Sequence, residues 1–135
     1  MSFVLDASVA LAWVLPGEGN PYADELLERL IVEGAVVPPI WPLEIGNVLL
    51  VALRRRRIQQ EEFDAIVEQL ARLPIEIDIE ATDHALAGVL LLAAQLGLTT
   101  YEAAYLDLAQ RRNLPLATLD ERLRVACGTA KLEVL

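Results

Sequence analysis

The sequence has very few residues of the types that disulfides, zinc sites and many phosphate sites use. Its 135 residues include one cysteine, one histidine and one lysine, at Cys127, His84 and Lys131. A single cysteine excludes an internal disulfide and fits a reducing cytosol. One cysteine and one histidine also cannot supply the three or four ligands of a zinc site.

Long hydrophobic runs are absent, although apolar residues make up 55% of the chain. The richest stretch, Ala85 to Ala94, has ten residues, whereas a membrane-spanning helix needs about 20. The first basic residue is Arg29, so no basic region opens a signal peptide. The sequence therefore predicts a cytoplasmic protein with no membrane segment, folded as one compact domain over residues 1–135.

Positive charge is scarce, because 11 basic residues face 20 acidic ones and the formal net charge is −9. Proteins that coat nucleic acids need a basic surface, so this class is disfavoured. An enzyme that meets phosphate through a divalent cation held by carboxylates is still compatible with this charge.

Short β-type runs alternate with helical patterns along the chain. We predict strands at 3–5, 35–37, 75–79, 116–118 and 132–135, and helices at 7–15, 21–33, 42–53, 61–73, 82–96, 101–109 and 120–127, with Asn20 and Thr100 as N-caps. Strands separated by helices indicate an α/β fold with a mainly parallel central sheet covered on both faces.

Three acids lie in apolar surroundings without a basic neighbour in sequence. Asp6 follows Phe3-Val4-Leu5, Glu44 lies between Leu43 and Ile45, and Glu102 lies between Tyr101 and Ala103. Taken alone, Asp6 can be a helix cap and Glu102 a first-turn acid that favours the helix dipole, whereas Glu44 in an apolar helix is harder to explain in this way. A buried carboxylate otherwise needs a partner, a metal or a proton.

Asp120 has arginines nearby, but it follows a predicted strand as Asp6 does. Ligands of open parallel sheets bind at the carboxyl ends of the strands. If these acids converge, two charges about 4 Å apart repel by about 4 kcal/mol at an effective dielectric of 20. Oxygen ligands suit Mg²⁺ or Mn²⁺, so convergence would predict a site for one of these ions.

Four stretches in order along the chain carry a resemblance to a known family. They are Val4-Leu5-Asp6-Ala7-Ser8, Pro42-Leu43-Glu44-Ile45-Gly46-Asn47, Thr100-Tyr101-Glu102-Ala103-Ala104-Tyr105 and Leu116-Ala117-Thr118-Leu119-Asp120. In this pattern the chain resembles a PIN-domain ribonuclease of the VapC toxin family, which implies a PIN-like three-layer α/β/α fold.

The resemblance implies that Asp6, Glu44, Glu102 and Asp120, here called the acidic quartet, bind Mg²⁺ or Mn²⁺ and catalyse RNA hydrolysis. Ser8, Asn47 and Thr118 would support the quartet. The family usually has aspartate at position 102, and the longer glutamate could change direct ligation to ligation through water. The implied substrate is RNA of the tRNA or rRNA class.

The implied partners are a VapB-type antitoxin and a second copy of the chain. The apolar helices at 7–15 and 43–53 are candidate walls of the groove that would hold the antitoxin. Asp107 is not expected to replace Glu102, because five helical residues turn it about 140° away.

The arginine run at 54–57 has two interpretations. It is either a solvated helix end favoured by the dipole or a guide for RNA phosphate, with Arg54 and Arg57 on one helix face. Tyr101 and Tyr105, four residues apart, are interpreted as packing residues on one face.

Two other functions stay open. A receiver or phosphoryl-transfer domain also places acids at strand ends, but it would have to use Lys131, the only lysine. A protein-interaction domain with a catalytically weakened site is the other alternative, with Glu102 as its mark.

Overall fold

The computed structural model describes residues 1–80 and 85–135. The strands are β1 (Phe3–Leu5), β2 (Ala35–Val37), β3 (Ile75–Ile77) and β4 (Leu116–Ala117). The helices are α1 (Ala7–Val14), α2 (Pro21–Glu33), α3 (Trp41–Arg54), α4 (Gln60–Ala71), α5 (Leu90–Leu96, preceded by a π-helical turn at Ala85–Val89), α6 (Thr100–Arg112) and α7 (Glu121–Thr129).

The four strands form one parallel sheet in the order β3-β2-β1-β4. All residues of β1 and β2 are buried, and alternate residues of a strand point to opposite faces. Both faces of these central strands are therefore covered, which confirms the predicted α/β fold with a central parallel sheet.

The sheet register brings two strand ends together. In the pairing of β1 with β4, Leu5 lies opposite Ala117, and the Asp6 amide donates to the Ala117 carbonyl at 3.0 Å. The residues that follow these strands therefore leave the sheet side by side at its carboxyl edge.

Several predicted boundaries need correction. Thr99, not Thr100, caps α6, and the predicted strand at 132–135 is reduced to an isolated parallel bridge between Leu116 and Val134. The first residues of the helix predicted at 82–96, and His84, lie outside the described residues.

The sequence alternates Ile75, Ile77 and Ile79 with Glu76 and Asp78, which predicts a half-exposed strand with its acids in solvent. For Asp78 this is wrong, because Asp78 is 0% exposed, whereas Ile77 and Ile79 are 46% and 77% exposed. Asp78 is buried because its carboxylate is bound by Arg111 and Arg112 of α6, at 2.7 and 3.0 Å.

The cysteine agrees with its sequence interpretation. Cys127 is a free, fully buried thiol of α7. Burial raises its pKa to about 11, which keeps the thiol protonated.

Among the described residues, no single helix has the length and apolar content needed to cross a membrane; Ala85–Leu96 and Thr100–Arg112 meet that test only as a pair bent by 106°.

Candidate active site

Asp6 lies at the junction of β1 and α1 and is only 8% exposed. It occupies the N-cap position of α1, but its side chain makes no capping hydrogen bond. Its Oδ2 atom instead accepts hydrogen bonds from the hydroxyls of Ser8 and Thr118, both at 2.7 Å. Capping therefore does not explain this carboxylate.

A small hydroxyl network joins the ends of β1 and β4. The Thr118 hydroxyl also accepts the Asp120 amide at 3.0 Å, and the Ser8 hydroxyl accepts the Leu119 amide at 3.0 Å. The backbone that carries Asp120 is thus fixed to the same hydroxyls that hold Asp6.

Asp120 is the N-cap of α7. Its Oδ1 atom accepts the amides of Arg122 and Leu123, at 2.9 and 3.4 Å. Because both bonds fall on one oxygen, capping uses only part of the capacity of this carboxylate. Its charge is close enough to contribute to the raised pKa of Asp6.

Glu44 lies in the first turn of α3 and is half-buried. Its Oε1 atom accepts a hydrogen bond from the Tyr105 hydroxyl at 2.5 Å. Tyr105 belongs to α6 and is 1% exposed, so this bond joins two helices across the interior.

The charge of Asp6 acts on Glu44, and burial affects both carboxyl groups. Burial raises the pKa of Asp6, hydrogen bonds from Ser8 and Thr118 oppose the rise, and the Asp120 charge adds to it. Burial also raises the pKa of Glu44, and the Asp6 charge adds to that rise. Within residues 1–80 and 85–135, no ion pair involves Asp6, Glu44 or Asp120.

Glu102 has a different local role in this structure. Its Oε1 atom accepts the Thr99 amide at 3.0 Å, while the Thr99 hydroxyl accepts the Glu102 amide at 3.1 Å. This reciprocal pair is a capping box. Arg122 of α7 also lies 4.0 Å from Glu102 Oε1, so this carboxylate is already engaged by a cation.

Asp107, which the helical geometry excluded as a substitute for Glu102, is buried and pairs with Arg111 at 2.8 Å.

The predicted supporting residue Asn47 and the predicted RNA-binding residue Arg54 lie on α3, and Arg57 follows that helix. Asn47 is exposed one turn after Glu44. Arg54 ends the helix about 15 Å from Glu44, since each residue rises about 1.5 Å. The prediction that Arg54 and Arg57 share a helix face is wrong, because Arg56 is left-handed with φ of 59° and Arg57 pairs with Glu18 at 3.6 Å.

Tyr105 is the residue that sequence reasoning missed. It was interpreted together with Tyr101 as packing, but Tyr101 is 59% exposed and only Tyr105 reaches an acid. Its partner is 61 residues away in sequence, so no local pattern could have indicated the contact.

The described residues contain no group of three or more acids, histidines or cysteines already arranged to hold a metal ion. Mg²⁺ is commonly bound through one or two carboxylates with water in the other positions. The fit therefore rests on the donors themselves: Asp6 and Glu44 are partly desolvated carboxylates, Asp120 is a neighbouring third, and no described residue forms an ion pair with them.

An apolar groove with a volume of about 250 Å³ lies near this site. Its lining residues come from the β2–α3 connection, the π-helical turn and the start of α6: Pro38, Pro39, Ile40, Ala85, Val89, Thr100, Tyr101 and Ala104. These walls differ from the helices at 7–15 and 43–53 that the sequence suggested.

Known proteins are similar to this chain. Ribonuclease VapC3 from Pyrobaculum aerophilum is 27% identical over 123 residues, which cover 91% of this chain and 92% of that protein. Among solved structures, FitAcB from Neisseria gonorrhoeae has a TM-score of 0.69 and 19% identity, with 100% of this chain and 96% of that chain covered. The crystal structure of PAE2754 from Pyrobaculum aerophilum has a TM-score of 0.65 and 23% identity, with coverage of 93% and 79%.

The sequence profile of the PIN domain matches residues 3–128. This match spans β1 to α7 and includes every member of the acidic quartet, and it leaves the receiver-domain alternative without support. The chain belongs to the PIN-domain family.

Proposed function

We propose that this protein is a Mg²⁺- or Mn²⁺-dependent endoribonuclease that acts as the toxin of a VapBC-type toxin–antitoxin pair. The observation that carries the proposal is the state of Asp6. This carboxylate is nearly buried, caps no helix, pairs with no cation in the described chain and lies beside Glu44 and Asp120. The name of the VapC relative supports the assignment.

Asp6, Glu44 and Asp120 would hold the divalent cation. When bound, the cation supplies positive charge for the scissile phosphate and increases the acidity of water. Ser8 and Thr118 fix Asp6 through Oδ2, so neither hydroxyl uses Oδ1. The Thr118 hydroxyl holds both the Asp6 carboxylate and the Asp120 amide, so this part of the site avoids some of the cost of ordering when the substrate binds.

The test is RNA cleavage by the purified protein in Mn²⁺, Mg²⁺ or EDTA, with new ends mapped by sequencing. We expect cleavage with either metal and none in EDTA. Asp24→Asn is a matched control, because Asp24 is an exposed aspartate in the first turn of α2. If cleavage is the same in EDTA, or if Asp6→Asn still arrests growth when expressed in bacteria, the proposal is wrong.

We assign Glu102 an indirect role in the acidic quartet, in which its carboxylate contacts the cation through a bound water molecule. We expect Glu102→Gln to weaken Mn²⁺ binding about tenfold, the lower end of the range for residues that act through water, since glutamine keeps an oxygen for the Thr99 amide. Calorimetric titration with Mn²⁺ measures this. A loss of binding as complete as that in Asp6→Asn would instead make Glu102 a direct ligand.

RNA of the tRNA or rRNA class is the proposed substrate, and the four exposed arginines at 54–57 would contact its backbone. We expect Arg54→Gln/Arg57→Gln to lower the slope of log affinity against log salt by about 1.4, at about 0.7 per lost phosphate contact on single strands. Filter binding with Asp6→Asn protein measures this without cleavage.

Arg72→Gln is the control for the salt series, because Arg72 is an exposed arginine that pairs with Glu68 on α4. An unchanged slope in the Arg54/Arg57 variant would assign these arginines to the solvated end of α3.

A VapB-type antitoxin and a homodimer are the proposed partners. The apolar groove beside α6, together with exposed Leu86 and Leu91 at 83% and 60%, offers hydrophobic surface for either. Location in the cytoplasm is also proposed, because a single cysteine fits a reducing compartment.

One observation favours the alternative of a weakened site in a protein-interaction domain. The Oε1 atom of Glu102 accepts the Thr99 amide and lies 4.0 Å from Arg122, so this carboxylate has less capacity for a metal than a free one. Calorimetry with Mn²⁺ separates the two functions, because the alternative predicts no binding by the wild-type protein.

A further inference from the structure

We propose that Tyr105 is a positioning residue of the acidic site: its hydroxyl fixes the Glu44 carboxylate through Oε1, so that the other carboxylate oxygen is presented to a divalent cation. This inference rests on the proposed function and extends it to a residue outside the acidic quartet. It begins from the 2.5 Å hydrogen bond between the two side chains.

The burial of Tyr105 shows why its hydroxyl matters. The side chain is among the largest fully buried ones in the protein, and phenylalanine would fill the same space. A buried hydroxyl requires a hydrogen-bond partner, and here that partner is a carboxylate. The hydroxyl that distinguishes tyrosine from phenylalanine at this buried position is therefore the group that donates to Glu44.

The hydroxyl acts as a donor. The pKa of Tyr105 is raised by burial and further by the Asp6 and Glu44 charges, so the phenol stays protonated at neutral pH. A phenol has one proton, and in this structure it points to Glu44 Oε1. One oxygen of Glu44 is thereby committed, and the rotation of its carboxylate is restricted.

The helix geometry connects Tyr105 with the rest of the site. Glu102 and Tyr105 are three residues apart on α6 and therefore lie on one face. α6 thus directs the capping carboxylate and the buried phenol towards the same side, one turn apart. Outer partners that orient metal ligands typically contribute about 10–100-fold to metal affinity or activity.

The experiment measures Mn²⁺ affinity by calorimetry and RNA cleavage in Tyr105→Phe. We expect Mn²⁺ to bind about tenfold or more weakly and cleavage to fall with it. Tyr22→Phe is the control, because the Tyr22 hydroxyl donates to main-chain oxygens, those of Leu135 at 2.7 Å and Thr118 at 3.4 Å. In the described chain these bonds involve no side chain of the acidic quartet. Thermal melting in EDTA verifies that both variants fold.

A double-mutant cycle distinguishes positioning from a general effect on folding. In Glu44→Ala there is no carboxylate for Tyr105 to hold, so adding Tyr105→Phe should leave Mn²⁺ affinity and cleavage unchanged. If the two substitutions act additively, or if Tyr105→Phe binds Mn²⁺ like the wild type, the inference is wrong. Failure of the wild type itself to bind Mn²⁺ would overturn the proposed function and, with it, this inference.

Discussion

Replacing Asp6 with asparagine is expected to abolish metal-dependent RNA cleavage and to stabilise the metal-free protein at pH 7. Metal catalysis supplies several kcal/mol of charge stabilisation, so the rate should fall at least about 10³-fold. Asparagine keeps an oxygen that can accept the Ser8 and Thr118 hydrogens. It removes a buried charge that Glu44 and Asp120 repel, so the melting temperature in EDTA should rise by a few degrees.

The pH dependence of stability gives the same prediction an independent test. Burial raises the pKa of Asp6 and Glu44 above their ordinary values of 3.8 and 4.5. A carboxyl group with a raised pKa contributes stability that is present below its unfolded pKa and is lost as the pH rises through its folded value. Metal-free wild type should therefore lose stability through these groups as the pH rises above about 4.

The Asp6→Asn variant isolates this effect from the general charge of the chain. A net charge of −9 also destabilises the folded state as the carboxyl groups ionise, but this applies equally to Asp24→Asn. Urea unfolding in EDTA at pH 5 and pH 7 should show a smaller loss for Asp6→Asn than for wild type or Asp24→Asn. Equal losses in all three proteins would mean that Asp6 is not repelled in the folded state.

The meeting of Asp6 and Asp120 could be predicted because it depends on a general property of parallel sheets. Both follow strands, and β1 and β4 are neighbours, so their carboxyl ends lie side by side. The helix after Asn20 was equally predictable, since the Asn20 side chain accepts the Ala23 amide at 2.9 Å and Pro21 takes the first position.

Other features of the site depend on contacts that no local pattern shows. The bond from Tyr105 to Glu44 joins helices whose packing is set by the whole core. The capping box of Glu102 did have a local signal, because Thr99 and Glu102 have the required spacing, but the cap was assigned to Thr100. The helix stops before Arg57, since α3 ends at Arg54 and Arg56 has a left-handed backbone. No local signal in the sequence predicts this turn, because no glycine is present there.

The buried carboxylate of Asp78 leads to the largest predicted change in stability. Asp78 follows β3, is 0% exposed and receives Arg111 and Arg112 on its two oxygens, at 2.7 and 3.0 Å. Burial would raise its pKa, but these two arginines outweigh burial and hold the pKa below its ordinary value. The group therefore joins the end of an edge strand to the last turn of α6.

We expect Asp78→Ala to lower the free energy of unfolding by about 3 kcal/mol, because it removes charged hydrogen bonds to two arginines in the interior, each contributing about 1.5–3 kcal/mol. The loss is limited because Arg111 keeps Asp107 and Arg112 keeps Glu76. Glu76→Gln is the control, since Glu76 contacts Arg112 at 3.3 Å but is 61% exposed, and exposed pairs contribute about 0–1 kcal/mol. Urea unfolding in EDTA measures both. A loss below about 1 kcal/mol in Asp78→Ala would contradict this prediction, because it would mean that solvent or other acids stabilise the two arginines as well as Asp78 does.

The double variant Asp78→Ala/Arg111→Met distinguishes an uncompensated charge from simple loss of contact. If the cost arises from the arginine left without its carboxylate, removing that arginine should restore part of the stability, because apolar replacement of a whole buried pair is often neutral. The recovery of stability should be incomplete, because the double variant also removes the ion pair between Arg111 and Asp107 at 2.8 Å. Because α6 also carries Glu102 and Tyr105, cleavage assayed well below the melting temperature should fall in Asp78→Ala and recover with stability in the double variant.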